Sequence, residues 1–155
     1  MDQTSRAMID DWLYQLSAGQ TASALNESGI ATLSSPAFPG PLYLVHPAGD
    51  SEVFVLVAQM DHIGGDAPAE LLASLLALNA QASLSAGAYA LDPADGTLLY
   101  RYVGELPGRD FNAFRNTVTN FGSLASHART EYHRLRKEAP APRPARMVDA
   151  SSIRA

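Results

Sequence analysis

Short turn sequences between strand candidates are the feature that most limits how this chain can fold. Residues 47–50 lie between the apolar segments 42–46 and 53–60, and residues 92–96 lie between two further strand candidates. Proline presets φ and glycine accepts a positive φ, so both segments predict tight turns. Parallel strands need a crossover of about a dozen residues or more, so connections this short predict antiparallel pairing.

Three stretches of helical periodicity complete the pattern. Apolar residues recur every three or four positions in a first segment, in a leucine-rich segment that Asp66 is expected to cap, and in a long last segment. In order, the chain predicts a helix at 4–18, strands at 30–33, 42–46 and 53–60, a helix ending near residue 82, strands at 87–91 and 97–103, and a helix at 109–137. This α-β-β-β-α-β-β-α order predicts an α+β fold in which helices pack on a twisted antiparallel sheet.

One domain and a tail account for the 155 residues of the chain. Residues 1–137 are predicted to form the domain. Residues 138–155 lack apolar periodicity and contain Pro140, Pro142 and Pro144, which predicts a disordered, proline-rich basic tail.

Composition limits the compartment and the kind of partner. There is no cysteine, no apolar stretch approaches the ~20 residues that span a bilayer, and the first residues lack a signal-peptide pattern. These features predict a cytoplasmic protein without stable membrane insertion. Up to Arg136 the chain has 7 Lys and Arg against 14 Asp and Glu, and such an acidic body repels phosphate backbones. Nucleic acid is therefore not expected as a partner.

Side chains that carry chemistry do not form a recognisable site. The four histidines are not spaced as metal ligands, and no cysteine is present to help them. Asp61 and His62 could belong to a nucleophilic triad, but no Gly-x-Ser-x-Gly turn accompanies them. We therefore predict no catalytic, cofactor-binding or metal-binding residues. A small hydrolase stays an alternative that a pocket joining His46 or His62 to a carboxylate and a serine would support.

The second helix has more leucines than one buried stripe needs. A helix packed on a sheet buries a stripe somewhat wider than 100°, whereas these leucines cover close to half of the helix. A homodimer interface would remove the surplus from water. The predicted interface consists of Leu71, Leu72, Leu75, Leu76 and Asn79. The alternative is that the sheet and the last helix cover all the leucines.

The first helix offers a candidate binding groove. Its apolar stripe and two strand residues could accept an extended apolar segment of another protein. The predicted groove residues are Trp12, Leu13, Leu16, Leu33 and Leu44. The alternative is that they form plain core. A second choice is the outer face of strands 87–91 and 97–103, with Tyr89, Tyr100 and Tyr102 as aromatic surface.

From about Thr4 to Arg136, the chain resembles the class I type III secretion chaperones, the Tir-chaperone family. The matching pattern is Leu71-Leu72, Leu75-Leu76 and Asn79, then Gly87, Leu91-Asp92, Gly96 and Leu98, then Leu106-Pro107, and finally Phe111, Phe114 and Phe121. The resemblance implies an obligate homodimer without catalysis or cofactor. It also implies that the chain holds the N-terminal region of secreted effector proteins in an extended, secretion-competent form.

The tail departs from the compact pattern of that family. A basic tail of this kind suits contact with a secretion ATPase or a membrane surface. The alternative function is an α+β dimeric module that binds or regulates other proteins without secretion. Both functions need only a dimer and an apolar groove, so the sequence does not separate them.

Overall fold

The computed structural model describes residues 4–18, 22–49, 51–64, 67–81 and 87–139. The elements are α1 (Ser5–Ser17), β1 (Ile30–Ser35), β2 (Phe38–Val45), β3 (Val53–His62), α2 (Ala69–Gln81), β4 (Ala88–Leu91), β5 (Thr97–Glu105) and α3 (Phe111–Glu138). The predicted element order and the α+β class are confirmed. Asp50 of the first predicted turn, the predicted cap Asp66 and the tail from Pro140 lie outside the described residues.

The strands form one five-stranded sheet in the order β1-β2-β3-β5-β4. Every neighbouring pair is antiparallel. Short connections predicted this for β1–β2, β2–β3 and β4–β5, whereas α2 and β4 lie between β3 and β5 in the sequence. The longest pairing joins β3 to β5, from Val53 opposite Glu105 to His62 opposite Thr97. The two edges of the sheet are therefore β1 and β4.

Strand β2 begins four residues before the predicted start, within a segment that its prolines marked as a chain break. A register shift in β1 between Leu33 and Ser35 accommodates the extra residues of β2. Only Leu42–Val45 of β2 pairs with β3, so Pro39 and Pro41 remove no hydrogen bond on that side. Proline is tolerated here because this part of the strand has a single neighbour.

The core lies between one face of the sheet and the helices α1 and α3. The ring of Phe114 in α3 lies 5.0 Å from Trp12 of α1 and 5.4 Å from Phe54 of β3. Side-chain caps fix where both helices begin: Thr4 Oγ1 accepts a hydrogen bond from Ala7 N, and Asp110 Oδ1 accepts one from Ala113 N. These aromatic contacts join both helices to the sheet.

A polar clasp fastens the end of α3 to the end of β3. The Tyr132 hydroxyl donates to Asp61 Oδ2 at 2.6 Å, and Arg136 also pairs with Asp61. Burial opposes the charge of Asp61, but the hydrogen bonds from Tyr132 and His62 N and the charge of Arg136 outweigh it, so the Asp61 pKa is lowered. Burial, together with the hydrogen bond to Asp61, raises the pKa of Tyr132 to about 12. The clasp therefore holds an ionised carboxylate against a neutral phenol.

Candidate partner-binding surfaces

The structure divides the predicted dimer residues of α2 into two groups. Leu71 and Leu75 are buried in the core, and Leu72 is partly buried against it. Leu76 is 67% exposed and faces away from the core. The helix thus uses one row of leucines for folding and leaves Leu76, with part of Leu72, available to a partner.

Asn79 has an intramolecular role that the sequence did not indicate. Its side-chain Nδ2 donates to Tyr89 O at 2.9 Å, and its Oδ1 accepts from Tyr89 N at 2.7 Å. Both backbone groups that Tyr89 presents at the open edge of β4 are therefore satisfied by one amide. The Tyr89 hydroxyl in turn donates to Ala128 O of α3 at 2.6 Å, and burial raises the pKa of that hydroxyl. Asn79 and Tyr89 together join α2, β4 and α3.

An apolar groove lies between α2 and β4. It has a volume of about 220 Å³. Its lining consists of Leu72, Leu75, Leu76, Asn79, Tyr89, Ala90, Leu91 and Leu98. Leu91 is 44% exposed and lies across the groove from α2. The groove is thus an apolar surface that continues from α2 onto the edge strand of the sheet.

Most of the predicted α1 groove lies inside the protein. Trp12, Leu13, Leu33 and Leu44 are buried in the core, whereas Leu16 is only partly buried. The structure brings these residues into one cluster, but it exposes little of them. Beside this cluster, a cleft of about 570 Å³ lies between the end of α1 and the start of α3. Its lining residues are Tyr14, Gln15, Ser17, Ala18 and Phe111.

The sheet face that turns away from α1 and α3 exposes an apolar band that the sequence reasoning missed. Ile30 lies opposite Val45, Val45 opposite Val55, and Val55 opposite Val103, so one row of aliphatic residues crosses four strands. We call these four residues the outer-face band. Val103 is 49% exposed, and the other three side chains are partly exposed. Apolar residues at every position from Val53 to Ala58 were the available signal, since such a strand has no polar face.

The tyrosines that were the second choice for a binding surface point to the other side of the sheet. Tyr100 is buried, and its ring lies 6.1 Å from Phe121 of α3 and 5.3 Å from Tyr89. Tyr102 lies opposite Leu56, a buried residue of the same inner face. This expectation was wrong because alternation along β5 turns its tyrosines inward and its Leu99, Arg101 and Val103 outward.

Asp61, the carboxylate considered for a nucleophilic triad, makes its side-chain contacts elsewhere. Asp61 is occupied by the clasp with Tyr132 and Arg136, and from His62 it accepts only the backbone N–H. His46 is buried with its Nε2 3.0 Å from Ser51 O. Among the described residues, no group of three or more His, Cys, Asp or Glu could hold a metal ion. No helix in the described part of the chain is both long and apolar enough to cross a membrane.

Exposed apolar surfaces, such as those on the outer sheet face and along α2, mark candidate sites of interaction. The chain belongs to the Tir chaperone protein (CesT) family, whose model matches residues 16–129. The predicted resemblance to type III secretion chaperones is thereby confirmed. The family is one of chaperones rather than enzymes.

Solved structures share the fold. A chain of the ExsC–ExsE complex aligns with a TM-score of 0.66 and 20% identity over 87% of this chain and 97% of its own length. A chain of the HopA1–SchA chaperone–effector complex gives a TM-score of 0.57 and 16% identity, covering 88% of this chain and 99% of that one. A chain of the heterodimeric ExoU–SpcU complex of the Pseudomonas aeruginosa type III secretion system aligns with a TM-score of 0.54 and 23% identity. The alignment covers 83% of this chain and 97% of that one. A search of the curated proteins found no match.

Proposed function

We propose that this chain is a cytoplasmic chaperone that binds the N-terminal region of one or more type III secreted effectors and keeps it extended and secretion-competent. Membership of the Tir chaperone protein (CesT) family supports this function. A chain of the HopA1–SchA chaperone–effector complex shares the fold. The observation that carries the proposal is the outer-face band, an apolar surface that the described residues leave partly exposed.

The outer-face band suits a partner that arrives unfolded. It is built from the side chains of Ile30, Val45, Val55 and Val103, which offer apolar contact but no hydrogen bonds. Contiguous apolar patches on a protein surface mark sites of interaction, because leaving them in water costs free energy. An extended segment can lay apolar side chains on such a surface without being folded itself.

The same proposal includes a homodimer through α2 and β4. Leu76 and Leu91 are exposed leucines on the two sides of one apolar groove. A second copy presents the same groove, so a two-fold arrangement buries both sets of leucines at once. The proposed interface keeps Leu72 and Leu76 of the predicted set and adds Leu91. It leaves out Leu71 and Leu75, which belong to the core.

A role for α1 in binding is also proposed, through a smaller set of residues than the sequence predicted. Leu16 is partly exposed, and Tyr14 is 77% exposed at the adjoining cleft. Trp12, Leu13, Leu33 and Leu44 support this surface from the core. We propose no catalytic or cofactor role for the chain, and no nucleic-acid partner. A secretion ATPase is proposed as a further partner of the basic tail, which lies outside the described residues.

The test begins with recovery of bound proteins from the native cell under type III secreting conditions, followed by mass spectrometry. The N-terminal segment of each recovered protein is then produced alone and titrated calorimetrically against the chain. We expect binding with a negative heat-capacity change, because apolar surface is buried. Recovered partners that are never secreted would instead support the non-secretory binding module.

The Val103→Asp variant ties the binding to the outer-face band. Val103 is 49% exposed, so the aspartate leaves the fold intact but introduces a charge that a bound apolar segment would have to desolvate. We expect at least a tenfold loss of affinity, about 1.4 kcal/mol. Gln59→Asp is the matched control, since Gln59 is exposed on the same face outside the band. Equal affinities for the two variants would show that the segment binds elsewhere.

A further inference from the structure

A second row of side chains crosses the outer sheet face beside the outer-face band. Thr32 lies opposite Tyr43, Tyr43 opposite Val57, and Val57 opposite Arg101, which also lies opposite Ala88 of β4. On each of the strands β1, β2, β3 and β5, this row lies two residues from the band, and side chains two apart on a strand project from the same face. We call these five residues the arginine row, because Arg101 is its charged member.

Arg101 is exposed, and no carboxylate of the described residues pairs with it. Its neighbours on the adjacent strands, Val57 and Ala88, have no side-chain acceptor to offer it. The exposed carboxylate that β5 turns to the same face, Glu105, lies beyond Val103 at the end of the strand. The guanidinium of Arg101, with its five N–H donors, is thus available to a partner.

The position of Arg101 beside the band couples its charge to apolar binding. Arg101 is two residues from Val103, which is the most exposed member of the band at 49%. Residues two apart on a strand are separated by about 6.6 Å, so a segment that covers Val103 also covers Arg101 or ends next to it. Removing water from a charge without supplying a counter-charge is unfavourable. An entirely apolar segment is therefore a poor ligand for this face.

The charge of the whole body limits which anion can approach Arg101. Up to Arg136 the chain has 7 Lys and Arg against 14 Asp and Glu, so a strongly acidic segment is repelled. A single carboxylate among apolar residues avoids this repulsion, and a carboxylate can accept two parallel hydrogen bonds from a guanidinium. The combination of the band and Arg101 therefore fits an apolar segment with one acidic residue.

We propose that Arg101 determines which segments the outer face accepts. The bound segment carries an Asp or Glu two positions from the apolar residue that covers Val103, and this carboxylate pairs with Arg101. The inference rests on the proposed function and adds the chemistry of the segment to it. A segment with an amide or apolar side chain in place of the carboxylate leaves the covered guanidinium without a counter-charge, and this penalty is the basis of the selection.

The probe is a phage-displayed library of random peptides of about twelve residues, longer than a typical strand, selected on the unmodified full chain. Peptides that bind Val103→Asp equally well are discarded, so the retained peptides depend on the outer-face band. Each retained peptide is synthesised twice, once unchanged and once with its acidic residue changed to the corresponding amide. We expect an acidic residue two positions from an apolar one, and roughly tenfold weaker binding of the amide form, because a hydrogen-bonded charge loses its partner.

Charge exchange on the chain distinguishes a direct pairing from a general effect of the substitution. Arg101→Gln should bind the acid and amide forms with similar affinity, since neither form finds a cation. Arg101→Glu should prefer a peptide in which Lys replaces the acidic residue, a reversal that loss of structure alone would not produce. Lys137→Gln is the matched control, because it removes one positive charge from an exposed position of α3 and should keep the preference for the acid form. Circular dichroism checks that each variant keeps the fold.

Equal binding of the acid and amide forms by the unmodified chain, or a preference that persists in Arg101→Gln, would overturn the selection by Arg101 and leave the chaperone function intact. Light scattering tests a different role. If Arg101→Gln forms a larger assembly while the peptide preference is unchanged, Arg101 instead keeps the outer faces of two copies apart. Absence of any peptide that depends on Val103 would contradict the outer-face band as the partner surface, and with it the observation that carries the proposed function.

Discussion

At the scale of single residues, Asn79 shows how one amide can close a sheet edge. Its side chain presents a donor and an acceptor in the arrangement of a peptide group, and both are used by Tyr89. The leucine pattern of α2 led to the prediction that Asn79 lies in a dimer interface. The contact with Tyr89 was not predicted, because the sequence does not reveal which strand lies beside the helix. The side chain also lines the groove, so both roles are open to measurement.

Replacing Asn79 by Ala should destabilise the fold by about 1–3 kcal/mol, because Tyr89 N and Tyr89 O lose their partners. Urea unfolding measures the change. Gln81→Ala, at an exposed position of the same helix, should have little effect. Unchanged stability combined with a weaker dimer would assign Asn79 to the interface alone.

The Asp61 clasp should give the protein an acid-sensitive contribution to stability. The Asp61 pKa is lowered below its ordinary value of 3.8, so the folded state favours the ionised form. The contribution is complete at neutral pH and is lost as the pH falls below 3.8 through the lowered folded-state value. Asp61→Asn cannot ionise, so between about pH 2 and pH 5 its stability should change less steeply than that of the wild type.

Urea unfolding at several pH values measures both curves. Glu52→Gln, which neutralises an exposed carboxylate outside the clasp, should keep the wild-type slope. A wild-type slope in Asp61→Asn would show that the pairing with Tyr132 and Arg136 does not contribute to stability.

At the scale of elements, α2 combines a core row and a surface row of leucines. Leu71 and Leu75 belong to the core, while Leu76 is 67% exposed. Helical geometry explains the division: residues four apart share a face, whereas the next residue is rotated by about 100°. A substitution at Leu75 would therefore report on folding, and one at Leu76 reports on association.

Leu76→Asp should convert the proposed homodimer to a folded monomer. The exposed position tolerates aspartate in the free chain, but a charge buried in a dry interface is strongly unfavourable. Light scattering at micromolar concentration measures the mass, and circular dichroism confirms the fold. Ala77→Asp adds the same charge at an exposed position outside the groove and should remain dimeric. A monomeric wild type would contradict the dimer directly.

At the scale of the whole molecule, the chain consists of an acidic body and a basic C-terminal segment. The body up to Arg136 is acidic, while the segment from Lys137 onward has 4 Lys and Arg against 2 Asp and Glu. α3 ends at Glu138, one residue beyond the predicted domain boundary, and Ala139 N donates to Leu135 O to close its last turn. The predicted tail comprises residues 138–155, and all of it from Pro140 onward lies outside the described residues.

Deleting residues 140–155 should leave the melting temperature nearly unchanged, since the clasp and the last turn of α3 are kept. Deleting residues 136–155 removes Arg136 from the clasp and should lower the melting temperature. Scanning calorimetry of the two truncated chains and the full chain makes the comparison. A large loss from the shorter deletion would show that the tail packs on the body.

The sequence by itself determined the elements and the hairpin pairings, because both depend on interactions that are local along the chain. The pairing of β3 with β5 joins distant segments and was decided by the tertiary structure. Turn residues at 92–96 force a hairpin, and the spacing of Phe114 and Phe121 defines a helix with one apolar side. Only the ends of elements differ from the prediction. Strand β2, for example, begins earlier, where a register shift accommodates Pro39 and Pro41.

The tertiary structure alone decided which apolar residues remain at the surface. Trp12 and Leu76 both belong to apolar stripes of predicted helices, yet Phe114, about a hundred residues away, contacts the first, whereas Leu76 stays 67% exposed. Strand β3 is apolar on both faces, and only the placement of α1 and α3 on one face leaves its valines partly exposed on the other. Burial is a property of contacts between distant segments, so local periodicity predicts the core and the partner surfaces together but cannot separate them.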